Sequence, residues 1–394
     1  MKEPLTWAVL GREERVRSER ETLGPWACQS GLSRGRLVPE ADHPVRTAFQ
    51  RDRDRVVHST AFRRLQYKTQ VFVRHEGDHF RNRLTHTLEG AQIARTIARA
   101  LRVNEDLAEA IALAHDLGHT PFGHAGERVL ANLLSNDGGF DHNRQSLRVV
   151  DLLEVRDPSA PGLNLSDETR EGILKHGCHW EHPVRLPSLE ASRSLEAQVA
   201  DASDEIAYVN HDLDDALRAG LIDFEMLMDL PLVSDVNRAV QEGFPGIADP
   251  LRRGRVVASL IDRLVTDLLS QTIRNLEEAE VRSPDLVRSH PSKLVGLSPG
   301  LDQGRRELKA FLFERFYNHP SVTQRTRQAE EVVERLFLGF EGNPEFLPGR
   351  IRRRFEEEEE KRVIADYVAG MTDRFAVAEH QKLFGSNQDP ILSI

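Results

Sequence analysis

The chain has 394 residues, of which 39% are apolar and 29% charged, and this composition is typical of a globular protein rather than a disordered one. It contains no apolar run of 18 residues and no secretory apolar core near its start, so we expect neither a membrane span nor export. Two cysteines without a CxxC pair favour a reducing cytoplasm, and the net charge of −10 argues against a general nucleic-acid coat.

Three regions are predicted along the chain. Residues 1–50 are predicted to be an extended amino-terminal arm, because "GLSRGRLVPEADHP" is rich in turn formers and charge. Residues 51–225 are predicted to be a helical core, since apolar residues recur there at helical spacing, and residues 226–394 a helical region packed on it. Alternating β-branched runs are nearly absent, so the fold class is predicted to be all-α.

Two helices are predicted next to each other in the core. The stretch "RLTHTLEGAQIARTIARALRV" predicts a helix with Thr85 as its amino-terminal cap and Leu88 within its apolar stripe. The following stretch, "NEDLAEAIALAHDLGHT", predicts a helix that ends near Gly118. Under this prediction His115 and Asp116 lie in its last turn.

The stretch "AHDLGHTPFGHAGE" indicates a metal site. Its adjacent His115 and Asp116 offer an imidazole nitrogen and a carboxylate oxygen to one divalent ion. His86, at the start of the preceding helix, and Asp204, on a later helix, would complete a set of two nitrogens and two oxygens. One ion of Mn²⁺, Mg²⁺, Fe²⁺ or Zn²⁺ suits this set and keeps positions open for water and substrate.

Further candidates follow from helical spacing. His124 and Glu127 are three residues apart, so the carboxylate can hold the imidazole in one tautomer. Tyr208 and Asp212 follow Asp204 by four and eight residues and share its helix face.

Several motifs together resemble a known family. The order of "RLTHTLEG", "HDLGHTPFGH" and "ADASDEIAY" is similar to the HD-domain metal phosphohydrolases. With "GLSRGR", "GFDHNRQSLRVV", "DEIAYVNHDLDDAL" and "DYVAGMTDRFA", the chain resembles the bacterial deoxyguanosinetriphosphate triphosphohydrolase-like proteins from about residue 30 to residue 380. The resemblance implies an HD-domain fold with an amino-terminal arm and a carboxy-terminal helical extension.

The resemblance also implies an activity, which is metal-dependent hydrolysis of a deoxynucleoside triphosphate (dNTP) to deoxynucleoside and inorganic triphosphate. It implies that His124 and Glu127 form an acid/base pair, that His119 and His142 face the phosphates, and that Gln70 contacts the edge of the substrate. Arg83, three residues before His86, can reach a phosphate or the ribose as a forked donor. With the implied deoxyribose, the ring of Tyr208 against C2′ would exclude a ribose hydroxyl, and Asp212 can accept from the 3′-hydroxyl. The resemblance further implies homo-oligomers of the hexameric kind, and some members of the family bind a second dNTP between subunits as activator. The metal ligands under this resemblance are His86, His115, Asp116 and Asp204.

Other functions stay open at this point. A nucleic-acid-binding or nucleotide-sensing HD protein would use the arginines of "SRGR" and "RTAFQRDRDR" along a single strand. An HD phosphomonoesterase or phosphodiesterase would keep the same metal ligands and release a different product. Arg252, Arg253 and Arg255 are candidates for the β- and γ-phosphates, and no physical argument assigns His211 a role.

Overall fold

A computed structural model describes residues 9–70, 80–174 and 192–385, and most of these residues are helical. Within these ranges there is no β-strand, only isolated bridges such as Arg36–Ser166, and the predicted all-α fold is confirmed. The helices are α1 Arg12–Thr22, α2 Ala48–Val57, α3 Thr60–Arg64, α4 Arg83–Ala100, α5 Glu105–Ala114, α6 His124–Leu133, α7 His142–Arg148, α8 Asp167–Ile173, α9 Leu195–Arg218, α10 Pro231–Gly243, α11 Asp249–Glu278, α12 Pro284–Ser289, α13 Pro299–Leu312, α14 Pro320–Gly342, α15 Gly349–Arg352, α16 Glu360–Ala369 and α17 Asp373–Phe384. None of the helices in the described ranges is long and apolar enough to cross a bilayer.

Helices α4, α5 and α9 pack against one another and form the centre of the fold. The face of α4 that meets α9 is built from small residues, among them Gly90 and Ala94, and a Cβ at Gly90 would lie 3.9 Å from the Cβ of Ala207. Leu88, predicted within the apolar stripe, is instead 49% exposed. The prediction failed because Leu88 lies on the opposite face of α4 from Gly90, Ile93 and Ile97, which are buried.

Two helix ends differ from the predicted ones. Asn82, not Thr85, caps α4, and the Thr85 side chain completes a capping box with it. Helix α5 ends at Ala114, so His115 is its carboxy-terminal cap and Asp116 lies beyond the helix. The two predicted ligands, His115 and Asp116, therefore lie at and just after the end of α5.

The amino-terminal segment is not wholly extended, because it contains α1. The arginines of "SRGR" in this segment and of "RTAFQRDRDR", which leads into α2, are held by carboxylates of the same chain. These ion pairs are Arg34–Glu171, Arg36–Asp52, Arg46–Asp54, Arg51–Glu40, Arg53–Asp106 and Arg55–Glu40. They fasten the segment to α2, α5 and α8 and leave these guanidinium groups already engaged.

Two hydrophobic clusters lie in the described part of the chain. The first runs from Ala27 to Phe316 and includes α4, α5, α9 and α11, so residues beyond 225 share its interior. The second joins α6 to α14, α16 and α17.

Candidate active site

His86, His115, Asp116 and Asp204 meet at the centre of the fold. The Nε2 atoms of His86 and His115 lie 3.1 and 3.3 Å from the same carboxylate oxygen, Oδ1 of Asp204. The Nε2 atom of His115 is also 3.2 Å from Oδ1 of Asp116. Four side chains from α4, the end of α5 and α9 therefore present two nitrogens and two carboxylates to one point.

This donor set fits a divalent cation. Imidazole nitrogen with carboxylate oxygen suits the borderline and hard divalent ions. Although burial alone would raise the pKa of Asp116, the neighbouring His115 and the guanidinium of Arg83 hold it well below its usual value. Asp116 is therefore ionised, as a ligand must be. The Nη1 atom of Arg83 lies 2.9 Å from Oδ2 of Asp116, which leaves Oδ1 to face His115.

A second cluster is centred on Glu127. Its Oε2 accepts a hydrogen bond from Nδ1 of His124 at 2.8 Å, and its Oε1 accepts from Nδ1 of His142 at 2.7 Å. His119 stacks on His142 with ring centroids 4.1 Å apart, and its Nε2 lies 3.4 Å from Oδ1 of Asp116. One ligand atom from each of His119, His124, Glu127 and His142 lies within 4.8 Å of the others. His119 therefore links the second cluster to the first.

A tight turn brings α6 and its histidine to this place. Phe122 and Gly123 have φ of 60° and 59°, a left-handed conformation that favours glycine. A Cβ at Gly123 would lie 2.9 Å from a guanidinium nitrogen of Arg83. The turn therefore requires glycine where α6 starts beside Arg83.

Both clusters open into one cavity of about 1100 Å³. Of the predicted site residues, those that line it are Gln70, Arg83, His86, Asp116, His119, His124, His142, Asp204 and Tyr208. Three of them carry a buried atom without a hydrogen-bond partner in the described part of the chain: Oε1 of Gln70, Nε of Arg83 and Nδ1 of His119. The cavity thus offers unsatisfied donors and acceptors to a polar ligand.

Asp212 does not line the cavity, because Tyr317 lies in front of it. The hydroxyl of Tyr317 donates a hydrogen bond to Oδ2 of Asp212, and Tyr317 itself lines the cavity. The rings of Tyr208 and Tyr317 are nearly parallel, with centroids 6.3 Å apart. Sequence reasoning missed Tyr317, which lies 105 residues from Asp212.

Cationic residues missed by sequence reasoning form another wall. Arg306 and Lys309 on α13, Arg327 on α14 and Arg128 on α6 line the cavity. Arg306, Lys309, Phe313 and Tyr317 recur every three to four residues, a spacing that could have identified one helix face. The arginines that the sequence singled out lie elsewhere, with Arg252 over the ring of Phe224 and Arg255 over that of Phe244.

The comparisons with known proteins agree with this geometry. The HD domain matches residues 83–209, which contain all four residues of the donor set, and the phosphohydrolase-associated domain matches residues 295–382. The fold and site therefore define an HD-domain phosphohydrolase, and the chain is a hydrolase of this class.

The relatives are more specific. Proteins named deoxyguanosinetriphosphate triphosphohydrolase-like from Azoarcus sp. (strain BH72) and Ralstonia pickettii (strain 12J) are 51% and 48% identical to this chain, over 92% of it and 96% and 94% of their own lengths. One from Brucella suis (strain ATCC 23445 / NCTC 10510) is 48% identical over 93% of this chain and 96% of its own length. This chain belongs to the deoxyguanosinetriphosphate triphosphohydrolase-like proteins, as the motifs predicted.

Proposed function

We propose that the chain hydrolyses deoxynucleoside triphosphates to deoxynucleoside and inorganic triphosphate. The observation that carries this proposal is the composition of one cavity, which has the His/Asp donor set and the Glu127 cluster on one side and a cationic wall on the other. A triphosphate needs all three: a divalent ion, a group that moves protons and positive charge along its length.

The residues proposed to hold the ion are His86, His115, Asp116 and Asp204, and Mn²⁺, Mg²⁺, Fe²⁺ or Zn²⁺ would suit them. A bound ion would acidify water and neutralise negative charge at the α-phosphate. The guanidinium of Arg83 lies beside Asp116 and lines the cavity, so it is available to an α-phosphate oxygen as well.

His124 is proposed to move the proton. Its Nδ1 is occupied by Glu127, which leaves Nε2 for the reacting groups. Hydrolysis joins the oxygen of water to the α-phosphorus and breaks the bond to O5′, which takes up a proton. His124 either receives the proton of water or supplies the one on O5′, while His119 and His142 contact the phosphates.

The deoxyribose is proposed to lie against the two tyrosines. The ring faces of Tyr208 and Tyr317 would exclude a 2′-hydroxyl. Asp212 would act on the sugar through Tyr317, because its carboxylate accepts the hydrogen bond of the Tyr317 hydroxyl and so orients it. The buried Oε1 of Gln70, which has no hydrogen-bond partner among the described residues, would accept a hydrogen bond from the substrate edge. Arg306, Lys309 and Arg327 would contact the β- and γ-phosphates.

Family membership supports three further parts of the proposal. We propose that the protein is cytoplasmic, assembles as a homo-oligomer of the hexameric kind, and binds a second dNTP at subunit interfaces. The nucleic-acid-binding alternative has less support, because carboxylates of the same chain already engage the arginines of residues 34–55.

Phosphorus NMR of the purified protein with Mn²⁺ and each dNTP, alone and in mixture, tests the proposal. The expected result is an inorganic triphosphate signal that disappears in a His115→Ala/Asp116→Ala double variant. If inorganic triphosphate forms only when the dNTPs are mixed, one of the dNTPs acts as an activator at a second site.

Two outcomes contradict the proposal. Orthophosphate or pyrophosphate as product would assign the chain to another HD reaction. Absence of any product from folded, metal-loaded protein, together with salt-sensitive binding to oligonucleotides, would favour the sensing or nucleic-acid function.

A further inference from the structure

His211 lies directly behind the candidate metal ligand His86. The Nδ1 atoms of the two rings are 3.0 Å apart, and the rings meet edge to face with centroids 5.2 Å apart. His211 is buried and does not line the cavity. It therefore contacts the ligand from the side opposite to the donor set.

The tautomers of the two rings follow from this contact. A histidine that binds a cation through Nε2 carries its proton on Nδ1, so His86 donates and Nδ1 of His211 accepts. The proton of His211 then lies on Nε2, which is 3.4 Å from Oε2 of Glu89. One arrangement of protons satisfies all three side chains.

The far end of this chain of contacts is held in place. The Nε atom of Arg81 donates to Oε2 of Glu89 at 2.7 Å, and Nη1 of Arg81 lies 2.8 and 2.9 Å from carboxylate oxygens of Asp214 and Asp215. Arg81 thereby ties Glu89 on α4 to the carboxy-terminal half of α9, the helix that also carries His211 and Asp204. Helices α4 and α9 therefore carry the two proposed ligands His86 and Asp204, and also the residues that hold His86 in place.

We propose that His211 is a positioning residue of the metal centre: its Nδ1 accepts the Nδ1 proton of His86 and holds that ring with Nε2 facing the cation. The inference rests on the ligand set of the proposed function. It concerns metal affinity, which is measured without nucleotide. Groups that orient a metal-bound histidine in this way typically change metal affinity by about 10- to 100-fold.

The test is the dissociation constant for Mn²⁺ of metal-free protein, measured by electron paramagnetic resonance of free Mn²⁺. His211→Leu removes the acceptor and is expected to weaken binding by about 10- to 100-fold. His211→Gln keeps an acceptor oxygen and is expected to recover much of the loss. His380→Leu, at another buried histidine in the second hydrophobic cluster region, is the matched control and is expected to leave the constant unchanged.

A double variant separates positioning from general damage. In a His86→Ala background, His211→Leu is expected to cause no further loss of Mn²⁺ affinity, because the ring that it supports is gone. An undiminished further loss would overturn the proposal, as would unchanged affinity in folded His211→Leu. If His86→Ala itself leaves Mn²⁺ affinity intact, the ligand set is wrong and the proposal falls with it.

A variant at Glu89 covers the case in which His211→Leu does not fold. The Glu89 side chain is 43% exposed, so Glu89→Ala is expected to fold and to weaken Mn²⁺ binding by a few-fold through loss of the His211 orientation. Unchanged affinity there would overturn the proposal. Weakened Mn²⁺ binding in a chain that makes no inorganic triphosphate would sustain the proposal and contradict only the proposed reaction.

Discussion

Glu127 holds two histidines of the candidate site at once. Burial alone would raise its pKa, yet hydrogen bonds from His124 and His142 hold that pKa well below its usual value. The carboxylate is therefore ionised at neutral pH and orients both rings through their Nδ1 atoms. Each Nε2 is left for chemistry or for the phosphates.

We expect Glu127→Gln to lower kcat by about 10- to 100-fold, because an amide holds two imidazoles less firmly than a carboxylate does. The measurement is steady-state formation of inorganic triphosphate at saturating Mn²⁺, with the Mn²⁺ dissociation constant as control. Loss of metal affinity with kcat retained at high Mn²⁺ would contradict the acid/base assignment and make this cluster a metal site.

The raised pKa of Asp212 leads us to expect that the stability of the protein depends on pH. Burial raises its pKa to about 7, against the hydrogen bond from Tyr317 that lowers it. Since the unfolded value is about 3.9, the folded chain keeps a proton that the unfolded chain has lost. The contribution to stability is complete below about pH 4 and is lost as the pH rises through about 7.

We therefore expect Asp212→Asn to remove part of this dependence. Between about pH 5 and 8, the free energy of unfolding of the metal-free wild type should fall relative to that of the variant, by up to a few kcal/mol. Urea denaturation at a series of pH values measures the difference. Parallel curves for the two proteins would show that Asp212 is ionised in both folded and unfolded states.

At the scale of elements, the start of α17 joins two segments of the site. Oδ2 of Asp373 accepts from the backbone N–H and the hydroxyl of Thr69, next to Gln70, and Oδ1 accepts from the N–H of Phe122, at the turn before His124. The carboxylate is buried. A helix from the phosphohydrolase-associated region thereby positions the proposed substrate contact Gln70 and the proposed acid/base residue His124.

We expect Asp373→Asn to destabilise the protein by about 1–3 kcal/mol, because an amide nitrogen must face one of the donors that the carboxylate accepts. The catalytic constant is expected to fall with it, while Mn²⁺ affinity stays near that of the wild type. Denaturant unfolding and steady-state kinetics measure both, with Asp235→Asn at an exposed position as control. Wild-type stability with wild-type kcat would show that the junction does not position the site.

At the scale of the whole molecule, the candidate site lies between the two hydrophobic clusters. His86 and Asp204 belong to helices of the first cluster, whereas His124 and Glu127 lie on α6, which packs against α14 in the second. The placement of the proposed metal ligands relative to the proposed acid/base pair therefore depends on how the two clusters meet.

We expect Leu336→Ala, within the second cluster, to lower the free energy of unfolding by about 2–5 kcal/mol through the cavity that it leaves. Because α6 rests on this cluster, kcat should fall more than Mn²⁺ affinity. Leu338→Ala on the same helix, where the side chain is 46% exposed, is the matched control. Equal effects of the two variants on unfolding and on kcat would contradict this dependence.

The sequence by itself determined the fold class, the family and those parts of the site that short spacing encodes. His115 and Asp116 are neighbours, and His124 and Glu127 are one helical turn apart, so their contacts need no knowledge of distant residues. The four proposed ligands were also identified from their order along the chain, although only the packing of α4, α5 and α9 brings them within 3.1 to 3.3 Å.

Only the tertiary structure decided the partners of these residues. His211 meets His86 across 125 residues, Tyr317 covers Asp212 across 105, and Asp373 holds Thr69 across 304. Periodicity within one helix gives the face on which a side chain lies but not which helix crosses that face or how closely. The crossing of α4 and α9 placed His211, for which the sequence offered no role, beside the proposed metal ligand His86.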